Sequence, residues 1–218
     1  MIKGMFFRNL IICGCFCILS GCIYVEEPKP RIVYETTNPA HMQTKVEQFA
    51  GMETSIDRSV PLDWLPYSKP EKKWTAIVLH HSGTENGNAA IFDKWHREGN
   101  HWEGVGYDFV IGNGTDSGDG EVEVTFRWSE QRTGAHCKTP DNWANESAVG
   151  ICLVGNFDKS VPTARQTQSL VKLINFLHKR YRIPKSRIYG HNTTPGAQIT
   201  ACPGRKFPMA KLKSMLAF

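Results

Sequence analysis

Two short stretches hold residues that can do chemistry together. Ile77-Val78-Leu79-His80-His81-Ser82 runs three apolar residues into a pair of histidines. Far downstream, Gly190-His191-Asn192 is followed by Thr200-Ala201-Cys202-Pro203-Gly204. The apolar run reads as a buried strand that delivers a histidine at its end. His191 and Cys202 lie in sequence rich in Gly, Pro and Thr, where loops let side chains converge. Imidazole nitrogen and thiolate sulfur are ligands that zinc prefers. Two His and one Cys leave a fourth tetrahedral position for water, as in a catalytic site. Neither a Cys-x-x-Cys pair nor a His-Glu-x-x-His helix is present, so spacing alone also allows a strand-end histidine with unrelated loop residues.

The elements that must position these residues are legible in outline. Residues 75–81 form a first core strand, and 89–97 a helix with Ile91, Phe92, Trp95 and His96 near one stripe, ended by Gly99-Asn100. Residues 107–111 alternate as a strand, and 121–128 read as another. A long loop runs from Arg132 through Asn145. Residues 148–154 are almost continuously apolar, which suits a central strand. Residues 163–181 make the best helix. Leu170, Leu173, Ile174, Leu177 and Tyr181 keep the i, i+3, i+4, i+7 spacing, and Thr163 with Gln166 fits a capping box. Residues 187–189 feed His191, and 207–218 form a closing helix. Strands alternating with helices predict an α/β class, a single domain with a central mixed β-sheet flanked by helices.

Length and composition bound the rest. A chain of 218 residues holds one well-filled domain and a tail. Residues 1–22 read as a targeting segment. Lys3 and Arg8 give a basic start, residues 9–19 are mostly apolar, and Leu19-Ser20-Gly21-Cys22 supplies small residues before a cysteine. The apolar run is short for a spanning helix, so a signal peptide is expected. The last four residues resemble a bacterial lipobox, which implies cleavage before Cys22 and acylation of its thiol. Several acyl chains would anchor the chain to a membrane, at about 0.8 kcal/mol per buried methylene. Cys13, Cys15 and Cys17 would leave with the signal.

Residues 23–73 read as a tether. Glu26-Glu27-Pro28-Lys29-Pro30 resists packing, whereas residues 60–66 carry apolar side chains suited to the domain edge. Loss of Lys3 and Arg8 takes the net charge from +5 to +3, a mildly basic balance that reads first as an ordinary solvated surface, is compatible with an anionic wall polymer or membrane surface, and is too weak to argue for nucleic acid. The cysteines form no regular disulfide framework. Cys152 reads as a buried core thiol, with a Cys137–Cys152 disulfide left open.

Six segments of the domain, taken in order, resemble one family. They are Val78-Leu79-His80-His81-Ser82, Val105-Gly106-Tyr107-Asp108-Phe109, Gly134-Ala135-His136, Asn145-Glu146-Ser147-Ala148-Val149-Gly150-Ile151, Gly190-His191-Asn192 and Ala201-Cys202-Pro203-Gly204. Together they resemble the zinc-dependent N-acetylmuramoyl-L-alanine amidases of the type-2 amidase and peptidoglycan recognition protein superfamily, which includes phage lysozyme-type amidases. The match spans residues 74–218, the whole expected domain.

The resemblance implies hydrolysis of the amide between N-acetylmuramic acid and the L-alanine of the stem peptide. It makes His80, His191 and Cys202 the zinc ligands and His81 a neighbour. Strand parity requires that only one of the two adjacent histidines enter the cleft. Tyr107 matches a tyrosine close to the reacting water, and would position or deprotonate that water or hydrogen-bond the oxyanion. With a free pKa of about 10 a phenol is a poor base, so the metal must do much of the activation. Thr200 stands where the phage enzymes have lysine and catalytic recognition proteins have threonine, and would donate to the oxyanion. His136 matches a histidine lining the substrate groove, with a structural loop histidine as the alternative reading, and Asn145 is placed at the same groove. One departure is Cys152, which stands where another branch has a glutamate thought to act as base. The base role then falls to Tyr107; Glu103 and Glu146 are near in sequence only. His96 and His101 match no role.

The expected partners are peptidoglycan or muropeptides and, through Cys22, a lipid membrane; a monomer is expected. Ile23 after Cys22 favours an outer-membrane location facing the periplasm in a diderm cell. Two other readings remain. One is a peptidoglycan-binding module without activity, though such recognition proteins typically lack the cysteine. The other is a structural lipoprotein, which leaves the His/His/Cys set unexplained.

Overall fold

The computed structural model describes residues 60–67 and 70–218. Cys22, the targeting segment and most of the tether therefore lie outside the described residues.

Five strands make one mixed sheet in the order β3-β2-β4-β1-β5. Strand β1 (Ala76–His81) lies between β4 (Ala148–Leu153) and β5 (Ile188–Gly190), parallel to both. Strand β2 (Phe109–Ile111) runs parallel to β4, and β3 (Val122–Val124) closes that side antiparallel to β2. All six residues of β4 are buried, as a parallel strand covered on both faces requires. Helices flank this mixed sheet in a single α/β domain, as the alternation of patterns predicts.

Parity along β1 decides what each face receives. Ile77 and Leu79 join the main core, packed with Leu170, Leu173, Ile174 and Leu177 of helix α4 (Ala164–Tyr181). Ala76 and Val78 lie in a different cluster with Cys137 and Ala144. His80 has the parity of the second set, so it is carried to the face opposite α4. The α4 capping box is present as read: Thr163 accepts from the Gln166 amide and Gln166 accepts from the Thr163 amide.

Elsewhere the structure departs from the sequence expectation for local reasons. Helix α1 spans Ala89–Asn100, capped by the Asn88 side chain on the Ile91 amide. It passes through Gly99 and stops at His101, whose φ is 56°. The strand expected over 121–128 ends at Val124. The Thr125 hydroxyl then accepts from the Arg127 amide and starts a short helix, α2 (Phe126–Ser129). Tyr107 precedes β2 rather than belonging to it. Asn145 belongs to a short helix, α3 (Trp143–Ser147), rather than to a loop. The closing helix α5 is confined to Met209–Met215, after Pro208. Cys137 and Cys152 are separate buried free thiols, so no disulfide joins them.

The apolar residues upstream of β1 do pack on the domain. Trp64 is buried in the main core beside Trp74, Trp128 and Phe176, and its carbonyl accepts from Trp128 Nε1 at 2.8 Å. Among the described residues, no helix is long and apolar enough to cross a membrane.

Candidate active site

The ends of two parallel strands bring the first two site residues together. His80 is the fifth residue of β1, and His191 follows immediately on β5 in a single helical turn, His191–Thr193. Their rings lie 4.7 Å apart between centroids. Ligand crevices at the carboxyl ends of parallel strands are the rule in open α/β sheets. Cys202 arrives from the loop beyond. The Asn192 amide donates to the Cys202 carbonyl at 2.7 Å, which ties the two ligand-bearing segments to each other. The Cys202 amide in turn donates to Thr200 Oγ1 at 3.1 Å.

The donor atoms of His80, His191 and Cys202 all lie within 4.8 Å of one another. Cys202 Sγ is 3.6 Å from His80 Nδ1. Among the described residues no other group of three His, Cys, Asp or Glu side chains comes together in this way. Two neutral imidazoles and a thiol fit zinc in donor chemistry, and three protein ligands leave room for a fourth. Burial holds His80 well below the ordinary histidine pKa, with the neighbouring His136 and His191 adding to the effect. It lowers His191 as well. Burial pushes the Cys202 thiol up to about 12. His81 turns the other way and accepts from the Phe157 amide at Nδ1, 3.0 Å away.

Tyr107 faces the same place. Its ring centroid is 5.2 Å from that of His80, and burial pushes its phenol well above the ordinary value. The segment before it is held from three sides. Asp93 accepts from the Val105 amide at 2.8 Å and His96 Nδ1 from the Gly106 amide at 3.0 Å. Thr125 donates to the Tyr107 carbonyl at 2.7 Å. Tyr107 also packs against the cluster that holds Cys152. A cavity of about 50 Å³ is lined by Ser82, Phe92, Trp95, His96 and Tyr107, and Trp95 and Trp102 are exposed on that flank.

The two residues expected at the substrate groove have their side-chain polar atoms engaged by protein. His136 is buried between His80 and the Ala148 carbonyl, and burial lowers its pKa to about 3. Asn145 Oδ1 accepts from the amides of His136 and Cys137, while Nδ2 donates to Asn142 Oδ1. Glu103 is turned to Arg132 in an ion pair, and Glu146 is exposed on α3. His96 and Cys152 touch Tyr107, a contact that no sequence signal showed. Both follow from folding α1 and β4 against the Tyr107 segment.

Residues 70–205 match the family described as N-acetylmuramoyl-L-alanine amidase. The chain belongs to this family. The amidase domain is similar to a peptidoglycan-recognition protein of Drosophila simulans, with 30% identity over 102 residues, 46% of this chain and 48% of the relative. It is also similar to the endolysin of Enterobacteria phage K11, with 34% identity over 113 residues, 50% of this chain and 65% of the endolysin. The alignments thus span about half to two thirds of these relatives. Among solved structures it is similar to the N-acetylmuramoyl-L-alanine amidase LysC from Clostridium intestinale. The identity there is 29% and the TM-score 0.55, covering 66% of this chain and 85% of that one.

Proposed function

We propose that the chain is a zinc-dependent N-acetylmuramoyl-L-alanine amidase. It hydrolyses the amide between the lactyl group of N-acetylmuramic acid and the L-alanine of a peptidoglycan stem peptide. The observation that carries this reading is the convergence of His80, His191 and Cys202 within 4.8 Å in a domain of the amidase family. Those three side chains would hold the metal. A bound zinc ion supplies Lewis acidity, which activates water and polarises a carbonyl.

The chain's own residues do the rest. Tyr107, whose phenol burial keeps protonated, donates to the oxygen that gains charge as water adds to the carbonyl. Thr200 Oγ1 accepts from the Cys202 amide, and its hydroxyl proton would serve as a second donor. A neutral hydroxyl stabilises that charge less than an ammonium would. The products are the lactyl carboxylate and the protonated amine of the peptide, the two protons of the water ending on that nitrogen. The exposed Trp95 and Trp102 give the flank beside Tyr107 flat apolar faces for the sugar.

At the cell level, the lipobox-like Leu19-Ser20-Gly21-Cys22 supports an enzyme acylated at Cys22 and held to an envelope membrane, its tether reaching the wall. In a diderm cell that membrane is the outer one.

The test is mass spectrometry of purified muropeptides incubated with the chain, with and without a zinc chelator. A free stem peptide and a peptide-free sugar are expected, lost on chelation and restored by zinc. Intact muropeptides after long incubation with zinc-loaded protein would replace this reading with a binding module. Cys202→Ser and His191→Ala should each abolish turnover, by about 10³-fold or more, and retain the fold. Wild-type rates in either folded variant would remove that residue from the site.

A further inference from the structure

His80 is held from behind as well as in front. Its Nε2 lies 3.1 Å from His136 Nδ1, and His136 Nε2 lies 3.2 Å from the carbonyl oxygen of Ala148. The direction of this chain of hydrogen bonds follows from its fixed end. A carbonyl oxygen can only accept, so His136 Nε2 carries the proton there. His136 is buried with no carboxylate beside either ring nitrogen, so it stays neutral, and its Nδ1 is then an acceptor. His80 must therefore carry its own proton on Nε2 and donate it to His136. That leaves the lone pair of His80 on Nδ1, the atom 3.6 Å from Cys202 Sγ.

The His136 ring has one seat. It fits between Gly134 and Gly150, where an added Cβ would come within 2.6 Å and 2.4 Å of its Cδ2. Its backbone amide is fixed by Asn145 Oδ1 at 2.8 Å, and Asn145 is itself held by Asn142 at 2.8 Å. The glycines, Asn145 and the Ala148 carbonyl thus converge on a single ring orientation.

We infer that His136 is a positioning residue. It locks His80 in the Nε2–H tautomer so that Nδ1 is presented to the metal ligands, with Asn145 and the two glycines as its supports. The metal half of this inference rests on the zinc reading above; the tautomer does not. His136 then acts through His80 rather than on the sugar or peptide. Partners of this kind behind a metal-bound histidine are worth about 10- to 100-fold in metal affinity.

The experiment uses the full chain in detergent, labelled with ¹⁵N. Long-range proton–nitrogen spectra of the metal-free protein should show His80 protonated at Nε2 and bare at Nδ1. Zinc affinity is then measured by chelator competition. His136→Leu should bind zinc about 10- to 100-fold more weakly with its fold retained. His136→Asn keeps an acceptor where Nδ1 stood and should recover most of that loss. A proton on His80 Nδ1, or wild-type zinc affinity in folded His136→Leu, would overturn the inference and leave the zinc reading standing. A wild-type chain that binds no zinc would instead sink the zinc reading, and the spectrum would still decide the tautomer. Should His136→Leu fail to fold, the wild-type spectrum and the His136→Asn affinity decide.

Discussion

At the scale of single residues, the candidate site is prepared for a cation by removing charge. Burial keeps His80 and His191 neutral, so both imidazoles offer lone pairs at physiological pH without losing a proton. Cys202 is the exception, because burial pushes its thiol up to about 12. A metal ligand must be the thiolate, so binding has to displace that proton. Uptake of zinc should therefore release one proton, and apparent affinity should rise about tenfold per pH unit across roughly pH 6 to 9. Burial holds both histidines below the ordinary value, so the thiol is the group that must lose a proton. Calorimetry in buffers of different ionisation enthalpy counts the proton directly. A pH-independent affinity would mean that Cys202 is not a ligand.

At the scale of elements, the site sits at the carboxyl ends of parallel strands, and helix α4 ties down two of their neighbours, β2 and β4. Gln166 in its first turn is buried, and its Nε2 donates to the carbonyls of Val154 at 2.8 Å and Ile111 at 3.1 Å, just past β4 and at the end of β2. Gln166→Ala would leave the Val154 carbonyl without its Gln166 partner, remove the second of two bonds to the Ile111 carbonyl, which keeps the Val154 amide at 3.0 Å, and break the capping box. A loss of about 2–4 kcal/mol is expected from denaturant midpoints. A loss under about 0.5 kcal/mol would mean that solvent replaces these bonds freely. Gln166 was legible as a helix cap, because its spacing from Thr163 is local. Its reach to two strands was not, since that contact spans 55 residues on one side. The same division holds at the site. His80, His191 and Cys202 stood out by residue type, and the strand before His80 by its apolar run. The pairing of His136 with His80 did not, because it depends on two glycines and a carbonyl brought from other elements. The strand expected through Trp128 failed for a local reason: alternation continues past Val124, but the Thr125 cap outweighs it.

At the scale of the whole molecule, the cost of seating this site in a buried sheet falls on Asp108. Its backbone amide donates to the Gly150 carbonyl at 2.9 Å, and its Oδ2 accepts from the Gly150 amide at 2.7 Å. It thus clamps the same glycine that forms one wall of the His136 seat. The carboxyl is fully buried, its Oδ1 has no partner among the described residues, and burial raises its pKa to about 7 against the pull of Lys72 and Arg127. Glu123, which accepts from the Ala89 amide at the start of α1, is raised by burial to about 7 as well. The sign follows from which state holds the proton. Between an unfolded value near 3.8 and a folded value near 7, the folded chain is protonated at Asp108 and the unfolded chain is not. Stability from this group is therefore complete below about pH 4 and lost as pH rises through about 7. Between pH 5 and 8 the unfolding free energy should fall by about 3 kcal/mol from Asp108, with Glu123 adding in the same direction. Asp108→Asn keeps an acceptor for the Gly150 amide and a neutral side chain at every pH, so it should flatten most of that slope. Denaturant melts of the wild-type chain and this variant at pH 5 and pH 8 measure it. A wild-type chain equally stable at both would mean that Asp108 is ionised throughout, with Lys72 and Arg127 holding its charge inside the fold.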